Sequence, residues 1–394
     1  MYAHELLSQI PPALLTQIGE QTKVDHSVQK LQGRVMLELL CLAMVRSDRH
    51  STRLLEHLYN SFFFAVHSTK DNTHQTRHSS IASRLSTISS EYFKQILDWA
   101  FEHFFEQIHE DKFFKNIKRY DSTMVKISSA LVEWGMRVGA KPKNCPRQVQ
   151  LKVTLGMKGH FPKDVQIHQD QNFLSEQTAL RHAIENSTPT EEEMVCFDLG
   201  LTERKTFQSF DNQGIRFVTR GGDNLRYHTV KSEQQLPPDQ DGLRFIQDST
   251  VHLYASGDKL LEHDFRLVEV EIIETKKRLY FISNIDELSA PQIAQIYHHR
   301  WDIEVLFRFL KQELNLKHLL NHSRNGIEVQ VYVALLVAIL LTVFKKVNRL
   351  KGYKLVKLEF EEQLLVHLAL SRQGKSPKNL PQNPTPAMQL PNDP

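Results

Sequence analysis

Tyr297, Arg300, Glu304 and Lys311 are separated by two, three and six residues in the run that begins Tyr297-His298-His299-Arg300-Trp301-Asp302-Ile303-Glu304. On a helix turning about 100° per residue, Tyr297 falls roughly 20° to one side of Glu304, and Arg300 and Lys311 fall roughly 40° and 20° to the other. One narrow stripe then carries a phenol, two cations and a carboxylate. A single acid flanked by cations on one helix face can hold a metal ion beside a phosphate backbone.

Two further acids stand out by position. Asp121 follows Lys118-Arg119-Tyr120 and precedes Ser122-Thr123, inside a strand signal that includes Val125-Lys126-Ile127. Asp198 ends the apolar run Val195-Cys196-Phe197. A carboxylate on a buried strand is costly unless it is paired or metal-bound. Taken singly, an Asp at a strand end is more often a turn or cap residue, and a Glu on a helix is usually solvated. Taken together, Asp121, Asp198 and Glu304 could converge on two divalent ions. Mg2+ prefers such hard oxygen donors, and two ions can activate the attacking oxygen and stabilise the leaving oxygen of a phosphodiester. His298 and His299 lack the partner set that metal coordination needs.

The elements that must position these groups can be read along the chain. Residues 1–105 are rich in helix formers, as in Val35–Val45 and Tyr92–Ala100, with a polar loop over Ser68–Ser80. The pattern changes near residue 116. Val149–Leu155 alternates as a half-buried strand does, and Asp164–Ile167 is its expected hairpin partner. Phe173–Ile184 reads as a helix, Met194–Phe197 as a short buried strand and Ile215–Thr219 as another, giving three strands, helix, strand, helix, strand. Residues 221–288 break that rhythm with Gly221-Gly222 and Pro237-Pro238, and read as a β-rich insertion with a hairpin of Val268–Ile273 and Arg278–Ile282. One continuous helix is expected from Ser289, whose spacing to Gln292 makes a capping box, with Ile293, Ile296, Ile303, Phe307 and Leu310 as its apolar band. A C-terminal helix and a disordered tail follow within 351–394.

Composition sets outer limits. The chain has 394 residues, 40% of them hydrophobic, and a net charge of only +3. That allows two or three domains with a large core, and bulk charge does not announce a nucleic-acid partner. Basic runs are local: Lys112, Lys115, Lys118 and Arg119; Lys141, Lys143, Arg147 and Lys152; Lys345, Lys346, Arg349, Lys351 and Lys354. Each taken alone is more often a solvated face than a phosphate contact. Cys41, Cys145 and Cys196 have no paired spacing, which fits a reducing cytosol without disulfides or zinc. Met1-Tyr2-Ala3-His4-Glu5 lacks a signal-peptide pattern. The longest apolar run, Val331–Phe344, is shorter than the roughly 20 residues of a membrane span. A cytoplasmic chain with no membrane partner is the expectation.

These residues resemble a known family. The stripe is similar to the YREK signature of bacterial insertion-sequence DDE transposases of the insertion-sequence-four type: Tyr, two residues, Arg, three, Glu, six, Lys. Trp301 and Ile303-Glu304 match the commoner form of that motif. Tyr120-Asp121-Ser122-Thr123 looks like the segment with the first catalytic Asp, Phe197-Asp198-Leu199-Gly200 like the segment with the second, and Phe217-Val218-Thr219-Arg220 like the strand after it. The likeness spans roughly residues 115–345.

The resemblance implies an α/β, ribonuclease H-like mixed-sheet core over 106–220 and 289–350, with the β-rich insertion between and an α-helical N-terminal domain over 1–105 that binds DNA ends. It implies Mg2+-dependent cleavage (Mn2+ substituting) at terminal inverted repeats, then attack of the freed 3′-hydroxyls on target DNA. Asp121, Asp198 and Glu304 would hold two ions. Tyr297, Arg300 and Lys311 would contact DNA phosphates. The acting species would be a homodimer formed on nucleoid DNA. Some relatives pass through a DNA hairpin steadied by a Trp of the insertion; this sequence has no Trp between Gly135 and Arg300, so the hairpin step is not implied for it, and Tyr227, Tyr254, Tyr280 or Phe281 could substitute as a stacking surface. Within residues 1–105, Ser79–Trp99 is the best stretch for a helix-turn-helix. Competing readings are a transposase-derived DNA-binding protein that no longer cuts and a structure-directed nuclease. A glycosidase fits poorly, because sugar sites want aromatic platforms, not Arg and Lys beside the acid.

Overall fold

The computed structural model describes residues 2–46, 51–63, 75–108, 111–127, 136–138, 148–233, 235–255, 259–314, 316 and 318–372. Cys145, the basic residues Lys141, Lys143 and Arg147, the 68–74 part of the expected polar loop and the expected tail over 373–394 lie outside the described residues.

The chain begins with α1 (Ala3–Ser8), α2 (Pro12–Thr22), α3 (Gly33–Arg46), α4 (Thr52–Leu58), α5 (His78–Thr87) and α6 (Ser90–Gln107). A short α7 (Lys112–Lys115) leads into β1 (Ile117–Ile127), β2 (Met136–Val138), β3 (Gln148–Lys158) and β4 (Phe161–His168). Then come α8 (Glu176–Asn186), β5 (Met194–Phe197), α9 (Arg204–Asn212) and β6 (Arg216–Gly221). This is the order read from the sequence, with the short β2 added. The remainder is β7 (Tyr227–Ser232), β8 (Leu243–Tyr254), β9 (Leu260–Ile272), β10 (Arg278–Ser283), α10 (Ala290–His298), α11 (Trp301–Gln312), α12 (Arg324–Val347) and α13 (Tyr353–Arg372).

The strands form one mixed sheet in the order β2-β3-β1-β5-β6-β10-β9-β8-β7, with β4 also paired to β3. β1 runs antiparallel to β3 and parallel to β5, and β5 runs parallel to β6. That is a ribonuclease H-like core. The β-rich stretch does not build its own layer: β10 pairs antiparallel with β6, and β9, β8 and β7 extend the same sheet. The expected β9–β10 hairpin is closed by Ile272 N–H to Lys277 O at 2.9 Å, with Lys276 turning at φ 58°.

Strand alternation decides which side chains meet which helices. On one face Tyr120, Val195, Phe197 and Phe217 pack with α8 and α9 through Leu180, Ile184, Phe207 and Phe210. On the other, Ile117, Met194, Cys196 and Val218 pack with Ile293 and Ile296 of α10. A third cluster joins α1–α6 to α11, α12 and α13. There Ser90 Oγ donates to Glu328 at 2.7 Å and Asn321 Nδ2 to Ala82 O at 2.7 Å. Helix α12 has the length and hydropathy of a membrane span, yet 89% of its most apolar window is buried inside the protein, as a core helix requires.

Ser79–Trp99 folds as helix, turn and helix; α6 buries Phe93, Ile96, Leu97 and Phe101, and of its exposed acids Asp98 pairs with Lys94 at 2.7 Å and Glu102 with Lys163 at 3.1 Å. The helix expected to run unbroken from Ser289 divides into α10 and α11. At the junction Arg300 N–H reaches Tyr297 O, Asp302 N–H reaches His299 O and Ile303 N–H reaches Arg300 O, each bond spanning three residues. Such a turn winds about 120° per residue instead of 100°, so the stripe counted on a uniform helix is offset at its middle.

Candidate active site

The register of the parallel strands sets the first half of the site. Ile117, Lys118 and Arg119 of β1 pair with Met194, Val195 and Cys196 of β5. Continued two residues past the last pair, that register brings Asp121 beside Asp198, which directly follows β5, and the two carboxyls act on each other. The same reasoning on β6, where Phe197 pairs with Thr219, brings Asp198 level with Arg220. Alternation places Asp121, Asp198 and Arg220 on the face that carries Ile117, Met194, Cys196 and Val218, toward α10. Arg220 also pairs with Phe281 of β10.

Helix α10 supplies the second half. Its capping box forms, with Gln292 N–H donating to Ser289 Oγ and Ser289 N–H to Gln292 Oε1 at 2.8 Å, and Ile293 and Ile296 are fully buried against the sheet. Tyr297 then packs its ring on Phe281 with centroids 5.1 Å apart. The Arg300 guanidinium lies 5.5 Å from the Tyr297 ring centroid and its Nη2 is 2.6 Å from Glu304 Oε1. Burial works against the charge on Arg300, but Tyr297, Glu304 and Asp198 outweigh it and hold its pKa above the ordinary value. Burial also raises the Tyr297 pKa, with Arg300 and Arg220 opposing.

Charge at the strand row is unbalanced. The Asp121 carboxyl is pushed up to about 7, first by burial and then by Asp198 and Glu176, against the lowering effect of the Ser122 N–H (2.7 Å) and of Arg300. Glu176, the first residue of α8, approaches from the opposite face: it accepts from Ser122 Oγ at 2.9 Å. Gly200 makes room for it. A Cβ there would lie 2.7 Å from Glu176 Cγ and 2.9 Å from Asp198 Oδ1, and Gly200 N–H donates to Asp198 Oδ1 at 2.8 Å.

Of the six residues singled out from the sequence, five come together. Asp121 and Asp198 are neighbours, and Arg300 acts on both while holding Glu304 beside Tyr297. Glu304 is thus turned to Arg300, and among the described residues no three His, Cys, Asp or Glu side chains stand close enough to hold a metal ion. Lys311 is separate: it lies about 10 Å farther along the α11 axis than Glu304, with its ammonium 5.9 Å from the Phe307 ring. His299 Nδ1 is 3.3 Å from Asp302, and His298 is exposed.

Sequence reasoning missed Arg220 and Glu176. Arg220 carried a usable signal, since it ends a short strand just as Asp198 does. Glu176 carried none beyond a Ser-Glu helix start. Beside Tyr297 and Arg300 opens a cleft of about 880 Å3, walled by Leu243, Ile272 and Phe281 and by Trp301, which is 51% exposed. Of the four aromatics considered for stacking, Phe281 lines this cleft, whereas Tyr227 and Tyr280 pack against the α8–α9 side.

Residues 113–340 match the family model described as the transposase DDE domain. Three relatives align. A protein named as transposase y4zB of Sinorhizobium fredii is 26% identical over 59% of this chain and 62% of its own length. One named as the transposase of insertion sequence element IS5377 of Geobacillus stearothermophilus is 24% identical over 82% of this chain and 85% of its own. One named as the transposase of insertion sequence element IS4SA of Synechocystis is 25% identical over 56% and 58%. The matched part is less than two thirds of the first and third. A piggyBac transposase synaptic complex with hairpin DNA aligns over 90% of this chain and 78% of that one, at 10% identity and a TM-score of 0.40, too loose a likeness to argue from.

Proposed function

Because the chain belongs to the DDE-domain transposases, whose members act on DNA with divalent metal ions, we propose that it cuts DNA at the terminal inverted repeats of its own insertion sequence. It then joins the freed 3′-hydroxyls to target DNA, as a homodimer assembled on DNA in the cytoplasm. The observation that carries this reading is the row Asp121–Asp198–Arg220, level across β1, β5 and β6 and facing the Arg300–Glu304 pair.

The donor set suits Mg2+. Two carboxylates side by side offer hard oxygen ligands, and burial first, then Asp198 and Glu176, raise the Asp121 pKa to about 7, a penalty on the charged form that a divalent cation would offset. Asp121, Asp198 and Glu304 would hold the ions, and Mn2+ suits the same oxygens. Bound there, the metal supplies Lewis-acid polarisation of the scissile phosphate and a more acidic attacking hydroxyl.

The chain's own groups bind and orient the DNA. Arg220 is one-fifth exposed, and among the described residues its Nη2 is held only by a long 3.5 Å contact to the exposed Asp223, which a phosphate oxygen can replace. Arg300 meets Glu304 in the DNA-free chain; an arriving phosphate competes for the guanidinium and leaves Glu304 able to turn toward Asp121 and Asp198. The Tyr297 hydroxyl stays protonated and can donate to the same phosphate. Lys311 holds the backbone farther along the groove. The N-terminal helices recognise the repeats.

The test is cleavage of a duplex carrying the element's own inverted repeats with Mg2+. Glu304→Gln should lower the rate at least about 1000-fold, the order expected for loss of a group acting on the transition state, while DNA binding persists. Cleavage that survives Glu304→Gln would reject the site.

A further inference from the structure

We infer that Arg119 and Asp302 form a clamp that sets where Glu304 stands relative to Asp121, an inference that rests on the three-acid site proposed for this chain. Arg119 lies on β1 two residues before Asp121 and shares its face. Its side chain is fully buried, and its Nη1 donates to Asp302 Oδ2 at 2.8 Å. The guanidinium lies 4.9 Å from the Phe114 ring centroid, and the Phe114 ring meets His299 with centroids 4.6 Å apart. His299 Nδ1 completes the group at 3.3 Å from Asp302.

A buried ion pair is a poor source of stability, because desolvation offsets most of its attraction. What a planar guanidinium adds is a fixed donor direction, here the Nη1 bond to Asp302 Oδ2. Asp302 and Glu304 lie about 200° apart around α11, with Ile303 between them and fully buried. The helix therefore rests on Ile303, with Asp302 on one flank and Glu304 on the other. The tight turn at His299-Arg300 leaves α11 able to roll independently of α10, and the Asp302 tie to β1 fixes that roll. With side chains reaching about 5–6 Å from the axis, a 10° roll moves a carboxylate by about 1 Å. A misplacement of that size can cost about 100-fold in rate. Arg119 and Asp302 are positioning residues, acting through Glu304.

The experiment measures Mn2+ affinity by electron paramagnetic resonance on the full chain bound to an end-containing duplex, alongside cleavage rate and duplex affinity. Asp302→Asn should weaken Mn2+ binding at least five-fold and slow cleavage about 100-fold, as a displacement near 1 Å implies, with duplex affinity kept. In a Glu304→Gln background the same substitution should leave Mn2+ affinity unchanged, because contacts that act through one residue are not additive. An equal loss in both backgrounds, or unchanged Mn2+ affinity with only a lower Tm, overturns the clamp. If Asp302→Asn does not fold, Arg119→Lys, which keeps the charge and loses the planar guanidinium, is put through the same cycle with the same two outcomes. Should Glu304→Gln alone retain wild-type Mn2+ affinity and cleavage, the three-acid site fails and the clamp fails with it.

Discussion

Glu193 offers a direct test of what holds the sheet under the site. It immediately precedes β5, its side chain is 5% exposed, and it lies 2.6 Å from Lys158 Nζ and 3.0 Å from Lys118 Nζ. Lys118 is itself 4% exposed, on the same face of β1 as Tyr120, whose hydroxyl bonds Asp164 at 2.8 Å and Ser187 at 2.6 Å. Burial pushes the Glu193 pKa up, but Lys158, the Thr190 N–H and Lys118 together bring it down to about 2 from an ordinary 4.5. At about 1.4 kcal/mol per pH unit, that gap contributes about 3 kcal/mol to folding at neutral pH. The folded-state pKa is depressed, so the contribution is complete above pH 4.5 and is lost as pH falls through 2. Glu193→Gln should therefore cost about 3 kcal/mol at pH 7, leaving Lys118 with Asp164 at 3.7 Å. The difference from wild type should narrow steadily between about pH 5 and pH 2. Urea denaturation of both proteins across that range measures it. A loss that is the same at pH 7 and pH 3, or smaller than about 0.5 kcal/mol at pH 7, would refute the reasoning, since surface substitutions reach that size.

Two further outcomes can be checked with single variants. Gly200→Ala would put a Cβ 2.7 Å from Glu176 Cγ and 2.9 Å from Asp198 Oδ1, so cleavage should fall at least about ten-fold, the order a sub-ångström shift of a reacting group implies. Adding Glu176→Ala should restore part of it, which a rate assay on the single and double variants decides. Asp121 has a folded-state pKa raised to about 7 from 3.8, so in metal-free buffer it lowers stability as pH rises from 4 to 7, and the liability is complete above 7. Asp121→Asn should accordingly melt higher than wild type at pH 8 and match it near pH 4; equal Tm differences at both pH values would contradict this.

Much of the core could be read from the sequence because its signals are local. Val149–Leu155 alternates and folds as β3, the Val195-Cys196-Phe197 run is β5, and Ser289 with Gln292 caps α10. The row Asp121–Asp198–Arg220 was not legible, because it depends on parallel register across strands far apart in sequence. Only the pairing of Arg119 with Cys196 and of Phe197 with Thr219 fixes it. The break at His299-Arg300 was hidden for a related reason. Every residue there tolerates a helix, and the contacts that distinguish the turn are distant ones, to Phe114 and Arg119. The packing of the N-terminal helices was not legible for the same reason: Ser90 bonds α12 and Ala82 the loop before it. A helix as apolar as α12 needs such cover on every side.

The continuity of the sheet bears on how the site keeps its shape. Had the β-rich stretch formed its own layer, Phe281 and the cleft beside Tyr297 could shift relative to the carboxylates. Instead Phe281 pairs directly with Arg220, which is level with Asp198. Tyr297 rests on Phe281 at 5.1 Å, and Asp302 is tied to Arg119 at 2.8 Å. The phosphate-seeking groups and the acids are thus referenced to one set of strands from two sides, by stacking near α10 and by an ion pair near α11. Between those two ties stands Arg300, facing Glu304 and Asp198 at once. On the function proposed, the Arg300 guanidinium is the contact for which an incoming phosphate would compete, and its release would let Glu304 turn to the row.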